Sequence, residues 1–157
     1  MKQTTLSFLV KEGEVLLAMK KRGFGAGKWN GAGGKVNKGE NVEVSAVREI
    51  REEIGVSVAL KDLNNVGTLN FHFDENPDWD QTCEVFIIHK WTGEPSESEE
   101  MRPRWYPIQT LPFDEMWVDD PHWLPNVLGG KKIEGEFLFD RSGGTMLEYK
   151  VREVPSV

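Results

Sequence analysis

Five glutamates lie between Gly33 and Val56 in the stretch GGKVNKGENVEVSAVREIREEIGV, and three of them, Glu49, Glu52 and Glu53, fall at i, i+3 and i+4. On a helix these positions share a face, where like charges destabilise by about 0.2–0.5 kcal/mol per pair. Arg48 stands one turn before Glu52 and can relieve only part of that repulsion. Two uses fit such a cluster. It can be a solvated charged face, or it can offer oxygen donors to a hard cation such as Mg²⁺ or Mn²⁺, with water and phosphate completing the shell. Helix physics leaves both readings open.

The elements that must position these carboxylates are legible around them. Val42, Ala46, Val47, Ile50 and Ile54 form one apolar stripe at about 100° per residue, which predicts a helix over 41–54 lying on a sheet. Asn41 is a suitable N-cap and Gly55 a suitable stop. TTLSFLV and EVLLAMK read as strands joined by a turn at KEGE, and LNNVGTLNFHF, CEVFIIHKW and RWYPI read as three more. A second helix should begin near Asp119 to Pro121, and GEFLFDRSGGTMLEYKV should close the chain as a hairpin turning at 142–144. The run from Lys21 to Lys35 holds six glycines together with Phe24 and Trp29, and reads as a functional loop. Strands on both sides of one strong helix predict a mixed α/β fold, as one domain over 1–157.

Bulk properties narrow the function. A net charge of −7 disfavours binding to a nucleic acid polymer or an anionic membrane. A phosphorylated small molecule stays compatible if divalent metal bridges the like charges. No apolar run reaches the roughly 20 residues of a membrane span, and the N-terminus has no cleavage-site pattern. Cys83 is the only cysteine, which excludes an internal disulfide and suggests a reducing, cytoplasmic setting. As a residue it reads as a small buried strand position.

The spacing Gly34-x5-Glu40-x7-Arg48-Glu49-Ile50-x-Glu52-Glu53-x-Gly55-Val56 resembles the Nudix box, G-x5-E-x7-R-E-U-x-E-E-x-G-U with U aliphatic, at all nine fixed positions. The resemblance implies an α/β/α sandwich with a loop–helix–loop metal site over 34–56, and hydrolysis of a nucleoside diphosphate linked to another group. Further segments, MKKRGFGAGKWNGAGGKV, EMRPRW, PFDEMWVDD and YKVREV, resemble the MutT-like branch of that family acting on oxidised purine nucleoside triphosphates. The likeness runs from about Thr5 to Val154.

Carried over position by position, the resemblance implies that Glu49, Glu52, Glu53, Glu100 and the Gly33 carbonyl hold Mg²⁺, with Mn²⁺ a possible substitute. Glu53 or Glu100 would help deprotonate the attacking water, Arg48 would orient the glutamates, and Glu40 would support the loop or a further metal. Lys20 would face the phosphates or the loop beside them and Gly34 would line the substrate site; by their charge, Lys28 and Lys35 would steer the polyphosphate. Asn30, Trp117, Asp119 and Asp120 would read the base, with Phe24 and Phe71 lining its pocket and Thr5 at the floor. The implied partner is a small purine nucleoside triphosphate such as 8-oxo-dGTP or 2-hydroxy-dATP, handled by a monomer. Alternatives are a Nudix hydrolase of an ordinary dNTP, a nucleotide sugar or a dinucleoside polyphosphate, or a sensor without turnover.

Residue chemistry adds its own case for the base pocket. Trp117 offers a flat face for stacking, and Asn30 carries both donor and acceptor. Asp119 and Asp120 cannot comfortably both ionise if both are buried, so one should keep a proton. Against this, either aspartate could cap the helix near Pro121. Trp29, Trp105 and Trp123 read as core or loop anchors, His72 as facing away from Phe71 and Phe73, and His89 and His122 as surface residues. The segment 73–86 departs in length from the family pattern and is expected to edge the base pocket.

Overall fold

Glu12 and Gly13, both at positive φ (46° and 78°), turn the chain between β1 (Lys2–Lys11) and β2 (Glu14–Lys20). This is the conformation a two-residue hairpin loop requires. The computed structural model describes all residues, Met1–Val157. The glycine-rich run read as loop is only half loop. It contains β3 (Trp29–Asn30), which pairs with β2, and β4 (Ala32–Lys35), which pairs antiparallel with β1. Glycine has weak strand propensity, and here partner strands override it.

The first helix, α1 (Val42–Ile54), starts at Asn41, whose side chain accepts from the N–H groups of Glu43 and Val44. It ends at Gly55 in the left-handed region (φ 74°), as expected. Four strands follow: β5 (Asn64–Phe73), β6 (Gln81–Ile88), β7 (Met101–Pro107) and, beyond α2 (Asp120–Leu128), β8 (Ile133–Phe139). The last strand, β9 (Met146–Glu153), forms the expected hairpin with β8.

All nine strands join in one mixed sheet ordered β3-β2-β1-β6-β5-β8-β9, with β4 added beside β1 and β7 beside β2. β1 runs parallel to β6, and β5 parallel to β8. The two helices cover opposite faces. On one side Ala46, Ile50 and Ile54 pack with Leu9, Phe86 and Ile88. On the other, Trp123, Leu124 and Val127 pack with Phe8, Leu69 and Phe137. This is the α/β/α sandwich expected. Cys83 is buried in the second cluster, as its type suggests.

Alternation along the strands then decides what reaches the sheet's end. Thr4 and Phe8 point to the α2 side, whereas Thr5, Ser7 and Leu9 point to the α1 side. The starts of β1 and β6 and the ends of β5 and β8 lie together at this end, because register pairs Lys2 with Gln81, Phe71 with Gln81 and Phe73 with Phe139. A cleft opens there between the two helical layers.

The helix carrying the carboxylates depends on its cap. Asn41→Ala should lower the stability of the protein by about 1 kcal/mol, read as a lower denaturant midpoint at unchanged m-value.

Candidate active site

The cleft has a volume of about 1000 Å³ and collects residues from both faces of the sheet. Glu49, Glu52, Glu53 and Glu100 line it, together with Lys20, Gly33, Gly34 and Lys35. So do Phe24, Asn30, Phe71, Trp117, Asp119 and Asp120. Thr5 also lines it, but from the α1 side, so it is Thr4 and not the expected Thr5 that shares a face with the aromatic rings. Of the catalytic and binding residues expected from the sequence, Arg48 alone lies outside it, holding the carboxylates from behind.

At the α1 side, Arg48 is the hub. Its Nε and Nη2 donate to the two oxygens of Glu40 (2.8 and 3.0 Å), and its Nη1 donates to Glu49 Oε1 (2.9 Å) and Glu52 Oε2 (3.2 Å). Glu40 also accepts from the Asn37 N–H, and these bonds, Arg48 first, lower its pKa to about 2. Glu40 therefore ties the loop before α1 to the helix. Burial pushes the Glu49 carboxyl above its ordinary value despite Arg48.

Glu53 is different. It is 8 % exposed, and its Oε1 accepts from the Gly33 N–H at 2.6 Å. Gly33 faces Leu6 across the β1–β4 pair, so this contact joins α1 to the sheet edge. A Cβ on Gly33 would sit 1.9 Å from the Thr5 carbonyl oxygen, and one on Gly34 would sit 2.7 Å from the Glu49 carboxylate. Only glycine permits this close approach. Burial raises the Glu53 pKa to about 8, and the nearby charges of Glu49 and Glu100 add to the rise.

No three acidic, histidine or cysteine side chains converge as a finished metal cage. The reason is visible: Glu49 and Glu52 turn toward Arg48, Glu53 turns toward Gly33, and Glu100 is drawn to Arg22 (2.6 Å) at the rim. The donor chemistry nevertheless suits a hard divalent cation. Three carboxylates share one helix face, one of them buried with no cationic side chain bonded to it. Placing Glu100 in the same set requires it to leave Arg22.

At the α2 side, aromatic rings build a slot. Phe71 stacks on Phe137 (5.4 Å between centroids) and Phe73 on Phe139 (5.2 Å), following their pairing in register. Trp117 is packed closely by Gly25 and Gly143 and lies 5.1 Å from Phe24, with the Lys28 ammonium 5.4 Å over its ring. Asn30 Oδ1 accepts from the Gly31 N–H, leaving its amide group free to donate.

Asp119 and Asp120 are 3 % and 2 % exposed. Asp119 occupies the N-cap position of α2 but makes no side-chain capping bond. Instead its Oδ2 accepts from Trp123 Nε1 at 2.7 Å, while Asp120 Oδ2 has no partner at all. Burial raises both pKa values, and the charge of Asp119 lifts Asp120 further, well above its ordinary range. The buried pair therefore keeps a proton between its two carboxyls.

Two further tryptophans reach the cleft. Trp123 is a core anchor, as expected, and fully buried, but it also lines the cleft and holds Asp119. Trp79, which carries no signal of its own in the sequence, enters from a short 3₁₀ turn at Pro77–Trp79, inside the segment expected to edge the pocket. His72 bonds Glu136 on the opposite side of β5 from Phe71 and Phe73, and His89 is exposed, as expected. His122 is half-buried against Tyr149.

The chain is similar to known proteins in sequence and in fold. A sequence model of the NUDIX domain matches residues 2–127. The chain is 45% identical over 152 residues to the oxidized purine nucleoside triphosphate hydrolase of Mus musculus, covering 97% of this chain and 95% of that one. It is 44% identical to the enzyme of the same name from Danio rerio, covering 98% and 96%. Among solved structures, the MutT protein of Bacillus halodurans superposes with a TM-score of 0.84 at 24% identity, covering 96% and 97% of the two chains.

The raised carboxyl groups set the pH response of the metal-free protein. A folded state that holds its proton more tightly than the unfolded chain loses stability as pH rises between the two pKa values. For Glu53 that window runs from about 4.5 to about 8. At about 1.4 kcal/mol per unit, its share is roughly 3–5 kcal/mol. Metal-free protein in chelator should therefore show a falling Tm from pH 5 to pH 8, and Glu53→Gln should flatten that slope. Asp119 and Asp120 act in the same direction, so a residual slope should persist.

Proposed function

The chain belongs to the NUDIX family, and we propose that it hydrolyses oxidised purine nucleoside triphosphates, 8-oxo-dGTP and 2-hydroxy-dATP among them, to the nucleoside monophosphate and pyrophosphate. The observation that carries this reading is the shared cleft. One end offers the clustered carboxylates of α1, and the other offers Trp117 beside a buried aspartate pair holding a proton. The names of the mouse and zebrafish relatives support the same substrate class.

In this proposal Glu49, Glu52, Glu53 and Glu100 and the Gly33 carbonyl hold Mg²⁺, or Mn²⁺ in its place. Bound there, the cation neutralises charge on the phosphate oxygens and acidifies the attacking water. Arg48 keeps Glu49 and Glu52 oriented through the contacts already described. Glu53 or Glu100 would take the proton of the water; the raised pKa of Glu53 belongs to the metal-free cleft, and a bound cation would lower it. Lys20 and Lys35 attract the polyphosphate into the cleft.

The base is stacked on Trp117 and read by Asn30, Asp119 and Asp120. With one of these two carboxyls protonated and the other ionised, the pair shows one donor and one acceptor. Moving the proton between them reverses that pattern, so two differently altered purines can be matched by one pocket. The activity would remove damaged precursors from the nucleotide pool, by a monomer working in the cytoplasm.

The deciding experiment is pyrophosphate release with Mg²⁺ from dGTP, 8-oxo-dGTP, dATP, 2-hydroxy-dATP and a pyrimidine control. An oxidised purine should lead its ordinary counterpart by about tenfold or more in kcat/KM, about 1.4 kcal/mol in the transition state. Turnover without that preference would contradict the substrate class and leave another nucleoside diphosphate derivative as substrate. Nucleotide binding with no turnover would contradict the hydrolase reading and favour a sensor. Glu53→Gln should lower kcat by about 100-fold or more, as loss of a proton acceptor does, whereas Asp119→Asn should reorder the bases more than it lowers turnover on the best of them.

A further inference from the structure

Thr4 and Gln81 also line the cleft, apart from the carboxylates and the base-reading residues already placed. Thr4 lies on the α2 side of β1, opposite Cys83 on β6, and Gln81 lies two residues before Cys83 on that same side. Their hydrogen bonds fix their polarity. Gln81 Nε2 donates to the Trp79 carbonyl oxygen at 3.3 Å, an atom that can only accept, so the amide cannot be reversed. Its Oε1 therefore faces Thr4 Oγ1 at 3.2 Å, and Thr4 shares its one hydroxyl proton between that oxygen and the Thr82 carbonyl, also at 3.2 Å.

What remains unused is specific. Gln81 keeps one free N–H, and Thr4 keeps lone pairs but no free proton. The pair thus presents one donor and one acceptor side by side in a cleft whose polar lining also includes Asp119, Asp120, Asn30 and Lys28.

We propose that Thr4 and Gln81 determine specificity by reading the imidazole edge of an 8-oxopurine, an assignment that rests on the function proposed above. With the Watson–Crick edge taken by Asp119 and Asp120, the edge left to read is the one altered by oxidation at C8. An 8-oxopurine carries a hydrogen on N7 beside a carbonyl oxygen at C8. Thr4 Oγ1 accepts from that N7–H, and the free Gln81 N–H donates to the C8 oxygen. An ordinary purine shows a lone pair at N7 and a C–H at C8. Its N7 then faces the lone pair of Thr4, and the Gln81 donor is left without an acceptor. A site built to hydrogen-bond a group rejects the analogue lacking it, because its own buried polar atoms go unpaired.

The mechanism is selective between altered purines. 2-Hydroxy-dATP differs from dATP at C2 and has an ordinary imidazole edge, so Thr4 and Gln81 contribute nothing to that preference.

Thr4→Val and Gln81→Leu remove one partner each at nearly constant volume, and thermal unfolding shows whether each variant is folded. The measured quantities are two ratios of kcat/KM: 8-oxo-dGTP over dGTP, and 2-hydroxy-dATP over dATP. The first ratio should fall by about tenfold in either variant, the usual weight of one hydrogen bond, and the second should stay as in the parent. Two outcomes overturn the assignment: a first ratio equal to that of the parent, or equal falls in both, which mark a merely structural role. Should Gln81→Leu fail to fold, Thr4→Val alone decides between these outcomes. A parent enzyme that does not prefer 8-oxo-dGTP over dGTP would defeat the proposed function as well. A parental preference that survives both variants defeats only this assignment.

Discussion

A carboxylate buried against a backbone N–H, Glu53 on Gly33, is the contact on which the rest of this structure turns. It joins the one long helix to the edge of the sheet at a point where only glycine lets the two approach. Repulsion among Glu49, Glu52 and Glu53 makes that arrangement costly in the absence of a cation. Arg48 relieves part of it by bonding Glu40, Glu49 and Glu52 together, but it does not reach Glu53. Glu53 answers instead by holding its proton to about pH 8. A site with this imbalance is built to gain from positive charge, which is the physical basis for assigning it a divalent metal.

The second constraint is topological. Helices on opposite faces of a sheet are kept apart by it except at the strand ends, where both layers can line one crevice. Here the parallel pairing of β1 with β6 and of β5 with β8 brings the relevant strand ends to one place, and both layers overhang it. The carboxylates of α1 and the aspartates of α2 thereby face one cleft, at two ends of a space of about 1000 Å³. The α2 end is aromatic and buried, and that burial is what raises the aspartate pKa values there.

Much of the first end is legible in the sequence, because it is local. The cap Asn41, the stripe ending at Ile54, the stop at Gly55 and the helical spacing of the glutamates all depend on residues within a few turns of one another. The strands β3 and β4 are not legible, since glycines such as Gly33 and Gly34 pair only because β1 and β2 present edges to them. The second end is legible only in part. Adjacent aspartates before a proline fit a helix cap equally well, and it is burial, with Asp119 bonded to Trp123, that removes that reading. Thr4 and Thr5 look alike in sequence and differ in which face of β1 they occupy, a distinction made by register. Trp79 sits on a short irregular turn with no periodic signal, and Gln81 opens β6 just after it.

The most direct test of the metal site is a titration of Mn²⁺ followed by electron paramagnetic resonance, counting free ion in the presence of the parent protein and of Glu53→Gln and Glu52→Gln, without nucleotide. The parent should bind Mn²⁺ saturably, in competition with Mg²⁺, and both variants should bind it much more weakly. Mn²⁺ binding that is unchanged by Glu53→Gln, or absent from the parent at millimolar ion, would contradict the assignment of these carboxylates to a divalent cation.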